Sequence, residues 1–168
     1  MKNLTSILLV ISLIVVSILG GYYYYLINQL YQATGVIFNT DKNIAINGYD
    51  TVAYFIEKKP TLGAPEFQTV WEGSNWYFSN SQNRDSFIKN PEQYMPQFGG
   101  YDPYSVTQGY SNPSNPEYYT IYAGMLYLHY SDTAKQYWND KRAENMLQAT
   151  SNWNYLRLDL EKLQTQSD

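Results

Sequence analysis

The stretch from Trp71 to Tyr104, WEGSNWYFSNSQNRDSFIKNPEQYMPQFGGYDPY, leaves the chain few ways to fold. Two short aromatic runs, Gln68 to Trp71 and Trp76 to Phe78, flank a Glu72-Gly73-Ser74-Asn75 turn, so the spacing predicts a β-hairpin with one buried face. Ser79, Asn80 or Ser81 can then cap a helix carrying Phe87 and Ile88, and Asn90-Pro91-Glu92 restarts it, because Pro prefers the first helical position. Pro96 ends that turn. Gly99-Gly100 follows as a sharp corner carrying Tyr101 and Asp102.

The flanking sequence repeats the plan loosely. Tyr118 to Tyr122 and Met125 to Tyr130 read as a second hairpin across Ala123-Gly124, and Ser131 or Asp132 caps a helix through Trp138 to about Thr150. Trp153, Leu156, Leu160 and Leu163 mark a last helical stretch. Upstream, Ile44-Ala45-Ile46 and the β-prone Thr51 to Ile56 are expected as strands, and Glu57 to Pro65 as a surface loop. The expectation is an α+β domain: a small antiparallel sheet built from two β-hairpins, with helices packed on it.

Between Lys2 and Asp41 no residue is charged, and Leu4 to Ile27 is mostly Ile, Leu, Val and Tyr. About 20 such residues at ~1.5 Å each span a ~30 Å hydrocarbon core. Residues 1–27 are therefore expected to be a transmembrane anchor, 28–43 a stalk, 44–156 the domain and 157–168 a helical tail. Lys2 would hold the N-terminus in the cytoplasm and leave the domain extracytoplasmic. The rival is a signal peptide cut near Gly20 or Gly21; Ile18 or Leu19 stands where such a site wants a small residue, which favours the anchor.

Composition narrows function mainly by exclusion. A net charge of −4 and no Lys/Arg cluster argue against a nucleic-acid partner. The absence of cysteine removes disulfides, thiolate metal sites and a cysteine nucleophile. One histidine and no G-x-S-x-G leave no hydrolase template, and no phosphate loop or dinucleotide fingerprint is present. The 19 tyrosines supply large rings with polar tips, suited to a core or to a contact surface.

NGYDTVAYF (47–55), the block from Trp71 to Tyr110, LYLHYSDTAKQYW (126–138) and NWNYL (152–156) resemble YHS-domain proteins, in particular their exported or membrane-anchored bacterial branch. The resemblance implies the α+β fold and, in the wider group, a compact metal-binding module. Its DPVCGM strand and YYFCSEGC hairpin-helix place the metal-binding cysteines at Ala53, Ser79 and Asn83, and a further GGYC cysteine at Asp102. None of those positions is a cysteine here, so the usual soft-metal site is withheld.

The resulting expectation is a non-enzymatic module that binds a partner protein or small ligand at the cell envelope. Its candidate ligand-binding residues are Asp50, Tyr54, Trp76, Arg84, Tyr101 and Asp102. No cofactor is expected; the alternative is a periplasmic protein handling copper or another divalent ion through Asp102 and His129, with Asp50 as a further ligand. A third reading is an accessory subunit of a membrane complex. Each residue also has a structural role to weigh: Asp50 capping the next amides, Asp102 in turn chemistry, His129 on a solvent face or satisfied by a neighbour, Arg84 solvated on a helix, and the aromatics in the core.

Overall fold

Glu72 and Gly73 both adopt positive φ, 47° and 69°, which the tight two-residue turn of a hairpin requires. In the computed structural model, which describes Leu19, Gly20 and residues 43–165, this turn joins β1 (Ala64–Trp71) to β2 (Ser74–Phe78). The strands pair antiparallel with Trp71 opposite Ser74, so Ser74 and Asn75 belong to the strand rather than to the turn. On β2 the alternation is strict: Ser74, Trp76 and Phe78 point inward. Ala123 and Gly124, at φ 50° and 78°, make the equivalent turn between β3 (Tyr119–Tyr122) and β4 (Met125–Leu128).

The fold is α+β, but the hairpins form two separate two-stranded sheets rather than one. The second edge of each inner strand is occupied by irregular chain. Beside β2, Asn75 bonds Asn43 and Ala45 through its backbone, each at 2.9 Å, and beside β4, Leu126 bridges to Pro96. With those edges filled, no ladder can run between the hairpins.

Thr51 to Ile56, expected as a strand, is a turn leading into α1 (Ala53–Ile56). The Asp50 carboxylate accepts from the Val52 and Ala53 amides, and Val52, Ala53 and Tyr54 are fully buried, so local capping and packing override β-propensity. Ile44 and Ala45 make only bridge contacts, and Ile46–Gly48 is a 3₁₀ turn, so that strand is absent as well. Asn80, one of the three expected caps, accepts from the Asn83 amide at the start of α2 (Ser81–Lys89). Next come α3 (Pro91–Tyr94), a 3₁₀ turn over Gln97–Gly100, and α4 (Pro103–Thr107), a helix the sequence reading did not anticipate.

Ser131 caps α5 (Asp132–Asp140), which stops ten residues short of the expected Thr150 (150 − 140 = 10); α6 (Arg142–Thr165) follows after Lys141. The break is stabilised from α6 itself. Asn145 Nδ2 donates to the Tyr137 and Trp138 carbonyls at 2.9 and 3.0 Å, satisfying acceptors that the end of α5 leaves open. Asn152 does the same for α4, donating to the Val106 and Thr107 carbonyls. Trp76, Phe78 and Phe87 pack in one aromatic cluster, while Phe98, Tyr127, Trp138 and Trp153 form a second.

The chain divides into Met1–Gln32 and Ala33–Asp168, and the elements above belong to the second unit. Leu19 and Gly20 are helical; the rest of the expected anchor, and the stalk as far as residue 42, lie outside the described residues. Among the described residues no helix is long and apolar enough to cross a membrane.

Gly63, read from sequence only as part of a loop, has a steric role. A Cβ there would fall inside van der Waals contact with the Tyr77 and Phe78 backbone, while Gly73 faces open space but holds φ of 69°. Gly63→Ala is expected to cost about 1–3 kcal/mol through overpacking, and Gly73→Ala about 1 kcal/mol through backbone strain. Guanidinium unfolding followed by tryptophan fluorescence measures both; a Gly63→Ala variant as stable as the parent chain would refute the steric role.

Candidate functional site

Asp50 is fully buried, and its carboxylate gathers five donors. Oδ1 accepts from the Val52 and Ala53 amides at 2.9 and 3.2 Å. Oδ2 accepts from the Ser79 amide at 2.8 Å, the Ser79 hydroxyl at 2.7 Å and Asn83 Nδ2 at 2.7 Å. This satisfies a buried charge with fixed dipoles instead of a counter-ion. It also brings Ala53, Ser79 and Asn83 to one point: Ala53 starts α1, Ser79 follows β2, and Asn83 lies in the first turn of α2.

A second polar centre lies at Asp102. Its Oδ2 accepts from the Ser105 amide at 2.8 Å, capping α4, and Oδ1 accepts from the Tyr130 amide at 3.2 Å. His129 Nδ1 stands 3.9 Å from Oδ1, and the ring's Nε2 lies 3.0 Å from Thr120 Oγ1. His129 is fully buried, not solvent-facing; burial pushes its pKa down to about 3, with the charges of Lys135 and Arg142 acting in the same direction. The 3.9 Å approach is therefore a carboxylate beside a neutral ring, not an ion pair. Burial pushes Asp102 the other way, above the ordinary carboxylate value, against hydrogen bonds from Ser105 and the Tyr130 and Tyr104 amides.

The candidate residues do not assemble into one site. Asp102 and His129 are neighbours as the metal reading requires, but Asp50 is engaged with Ser79 and Asn83 instead. Among the described residues no three His, Cys, Asp or Glu side chains cluster as a metal site would need. Tyr54 is core: its hydroxyl donates to the Pro116 carbonyl at 2.8 Å, and burial raises its pKa. Trp76 is buried, donating through Nε1 to the Trp71 carbonyl. Arg84 pairs with Asp85 at the surface, and half-buried Tyr101 packs against Trp153, its pKa raised by burial.

The sequence reading missed a cavity of about 200 Å³ whose wall includes Asp102, Tyr104, Ser105, Tyr110, Tyr130 and Tyr137. These residues come from α4, the following loop, the end of the second hairpin and α5, so no local spacing connects them. Their only signal was the abundance of tyrosine.

No family model matches the chain, and none of the curated proteins or solved structures matches it significantly.

Asp50→Asn places an amide N–H where donors already converge, and is expected to destabilise the fold by about 2–4 kcal/mol. Ser79→Ala removes one hydroxyl donor and should cost about 1–2 kcal/mol. Denaturant titration that finds Asp50→Asn no worse than Ser79→Ala contradicts the role assigned to Asp50.

His129 predicts an acid-side slope in stability. The unfolded chain protonates this ring near the ordinary pH 6.5 and the folded chain only near 3, so the unfolded state binds more protons between those values. Its contribution is complete above about pH 6.5 and is lost as pH falls towards 3, at roughly 1.4 kcal/mol per unit. Unfolding free energies across that window should show a shallower slope in His129→Gln; an unchanged slope excludes the ring as its source.

Proposed function

We propose that this chain is a non-enzymatic module of the YHS type, held at the outer face of a membrane by its N-terminal segment. In this reading the ancestral metal centre has become a structural hydrogen-bond hub. One observation supports it: Ser79 and Asn83, two of the positions that the resemblance assigns to thiolate ligands, both donate from their side chains to the Asp50 carboxylate, which also accepts the backbone amide of Ala53, the third. The hub leaves no free thiolate or imidazole there, so binding falls to the tyrosine-walled cavity beside Asp102, which is suited to a small ligand.

A second reading is a periplasmic divalent-ion protein, favoured by the 3.9 Å approach of His129 to Asp102. It needs further ligands from outside the described residues. The residues at hand fit it poorly, because both Asp102 oxygens already accept backbone amides.

Calorimetric titration of the full chain in maltoside micelles with Zn²⁺ and Cu(I) divides the two. The expected outcome is no tight stoichiometric binding; a one-to-one complex that disappears in His129→Gln would establish the metal reading. A fragment screen read by NMR should shift ring resonances of Tyr104 and Tyr137, and a screen in which no fragment moves them removes the cavity as a ligand site.

A further inference from the structure

Resting on the cavity being a ligand site, we propose that its ligand is a small organic cation of the quaternary or alkyl ammonium class. The wall combines two features that favour such an ion. Tyr110, Tyr130 and Tyr137 are each half-exposed yet gathered at one opening, and Tyr104 packs on Tyr137 with ring centroids 5.3 Å apart. Ring faces carry negative quadrupole density, which attracts cations within about 6 Å of a centroid. Behind them lies the Asp102 carboxylate, 2% exposed.

That carboxylate has no compensating cation. Its hydrogen bonds come from neutral donors, the Ser105 and Tyr130 amides among them, the His129 ring stands 3.9 Å away, and among the described residues no lysine, arginine or histidine lines the cavity. The nearby cations are engaged elsewhere: Lys135 sits over the Tyr119 ring and Arg142 over Tyr122. Tyr104 and Tyr137 also line a second cavity together with Asp140, Glu144 and Lys141, the last paired with Glu144 at 3.8 Å. An anion would find no cation in the wall to pair with, whereas a cation would meet the Asp102 carboxylate and the tyrosine rings. A volume of about 200 Å³ restricts the ligand to a headgroup of a few heavy atoms.

The test uses the full chain in maltoside micelles, free of choline-headed amphiphiles. Choline and tetramethylammonium are titrated by calorimetry beside 3,3-dimethylbutan-1-ol, the uncharged counterpart of choline. The expected result is binding of both cations, with the alcohol at least tenfold weaker. Tyr137→Leu and Tyr104→Leu should each weaken choline at least tenfold, and Tyr137→Phe should keep it. Asp102→Asn should also weaken it, with circular dichroism reporting whether its helix cap is retained. Tyr137 is half-exposed, so its variants keep the result readable if Asp102→Asn unfolds.

Equal affinity for choline and the alcohol overturns the cation while leaving the cavity a ligand site. So does a fragment that moves the Tyr104 and Tyr137 resonances when neither cation does. Choline binding that survives both leucine variants places the site elsewhere and overturns the proposal. If no probe of any charge moves those resonances, the ligand-site reading falls with it. Vesicles of phosphatidylcholine against phosphatidylglycerol separate the sources: where free choline shifts the resonances, larger shifts with phosphatidylcholine than with phosphatidylglycerol assign the cation to a lipid headgroup, and equal ones to a free ammonium ion.

Discussion

The fold turns on one buried carboxylate. Asp50 takes two amides from the start of α1, and an amide, a hydroxyl and a side-chain amide from the β2–α2 junction. Without it two segments would each bring unsatisfied donors to the same buried place. A net gain per hydrogen bond of ~1 kcal/mol understates this, since each donor would lose its water and find no acceptor in exchange, which costs more than the bond itself contributes. Because the donors come from segments distant in sequence, the carboxylate also sets where α1 lies against the first hairpin. The aromatic cluster of Trp76, Phe78 and Phe87 can then pack in one arrangement.

Local chemistry was legible in the sequence, and its limits were those of local chemistry. The Ala123-Gly124 turn, the Asn80 cap and the Gly99-Gly100 corner follow from residue types at fixed offsets and stand where they were expected, and the first turn does too except that it is only Glu72-Gly73, with Ser74 and Asn75 already in the strand. Asp50 capping the following amides is of the same kind. The expectation failed where a distant segment decided the outcome. TVAYFI has the composition of a strand but becomes a helix because its amides are captured by Asp50 and the side chains of Val52, Ala53 and Tyr54 are buried. The hairpins do not share a sheet, because Asn43 to Ala45 and Pro96 fill the edges that would have joined them, and nothing in either hairpin announces that. The break at Lys141 depends on Asn145 reaching back to the end of α5, a contact invisible to helical periodicity.

The site was legible only in part for a related reason. Resemblance located Ala53, Ser79 and Asn83, and their convergence on Asp50 is a geometric consequence no spacing argument could supply. Asp102 was read as turn chemistry, and it does cap α4, but its second oxygen reaches the Tyr130 amide after the second hairpin. Of the two structural roles expected for His129, a solvent face or a satisfying neighbour, the second holds, with Thr120 Oγ1 3.0 Å from Nε2. All four residues of β4 are buried, which places this strand between packed layers and carries His129, at its end, into the interior.

That burial decides the character of the Asp102 corner. A solvated histidine beside the carboxylate would protonate readily and pair with it; a buried one stays neutral and supplies no counter-charge. The two neighbouring cations reinforce the effect twice over, by opposing protonation of His129 and by being held over Tyr119 and Tyr122 rather than over the cavity. The field at the tyrosine rim is therefore set by side chains that never touch it. Exchange of Lys135 or Arg142 would alter that field without changing the cavity's shape, so charge and shape at this corner can be varied independently.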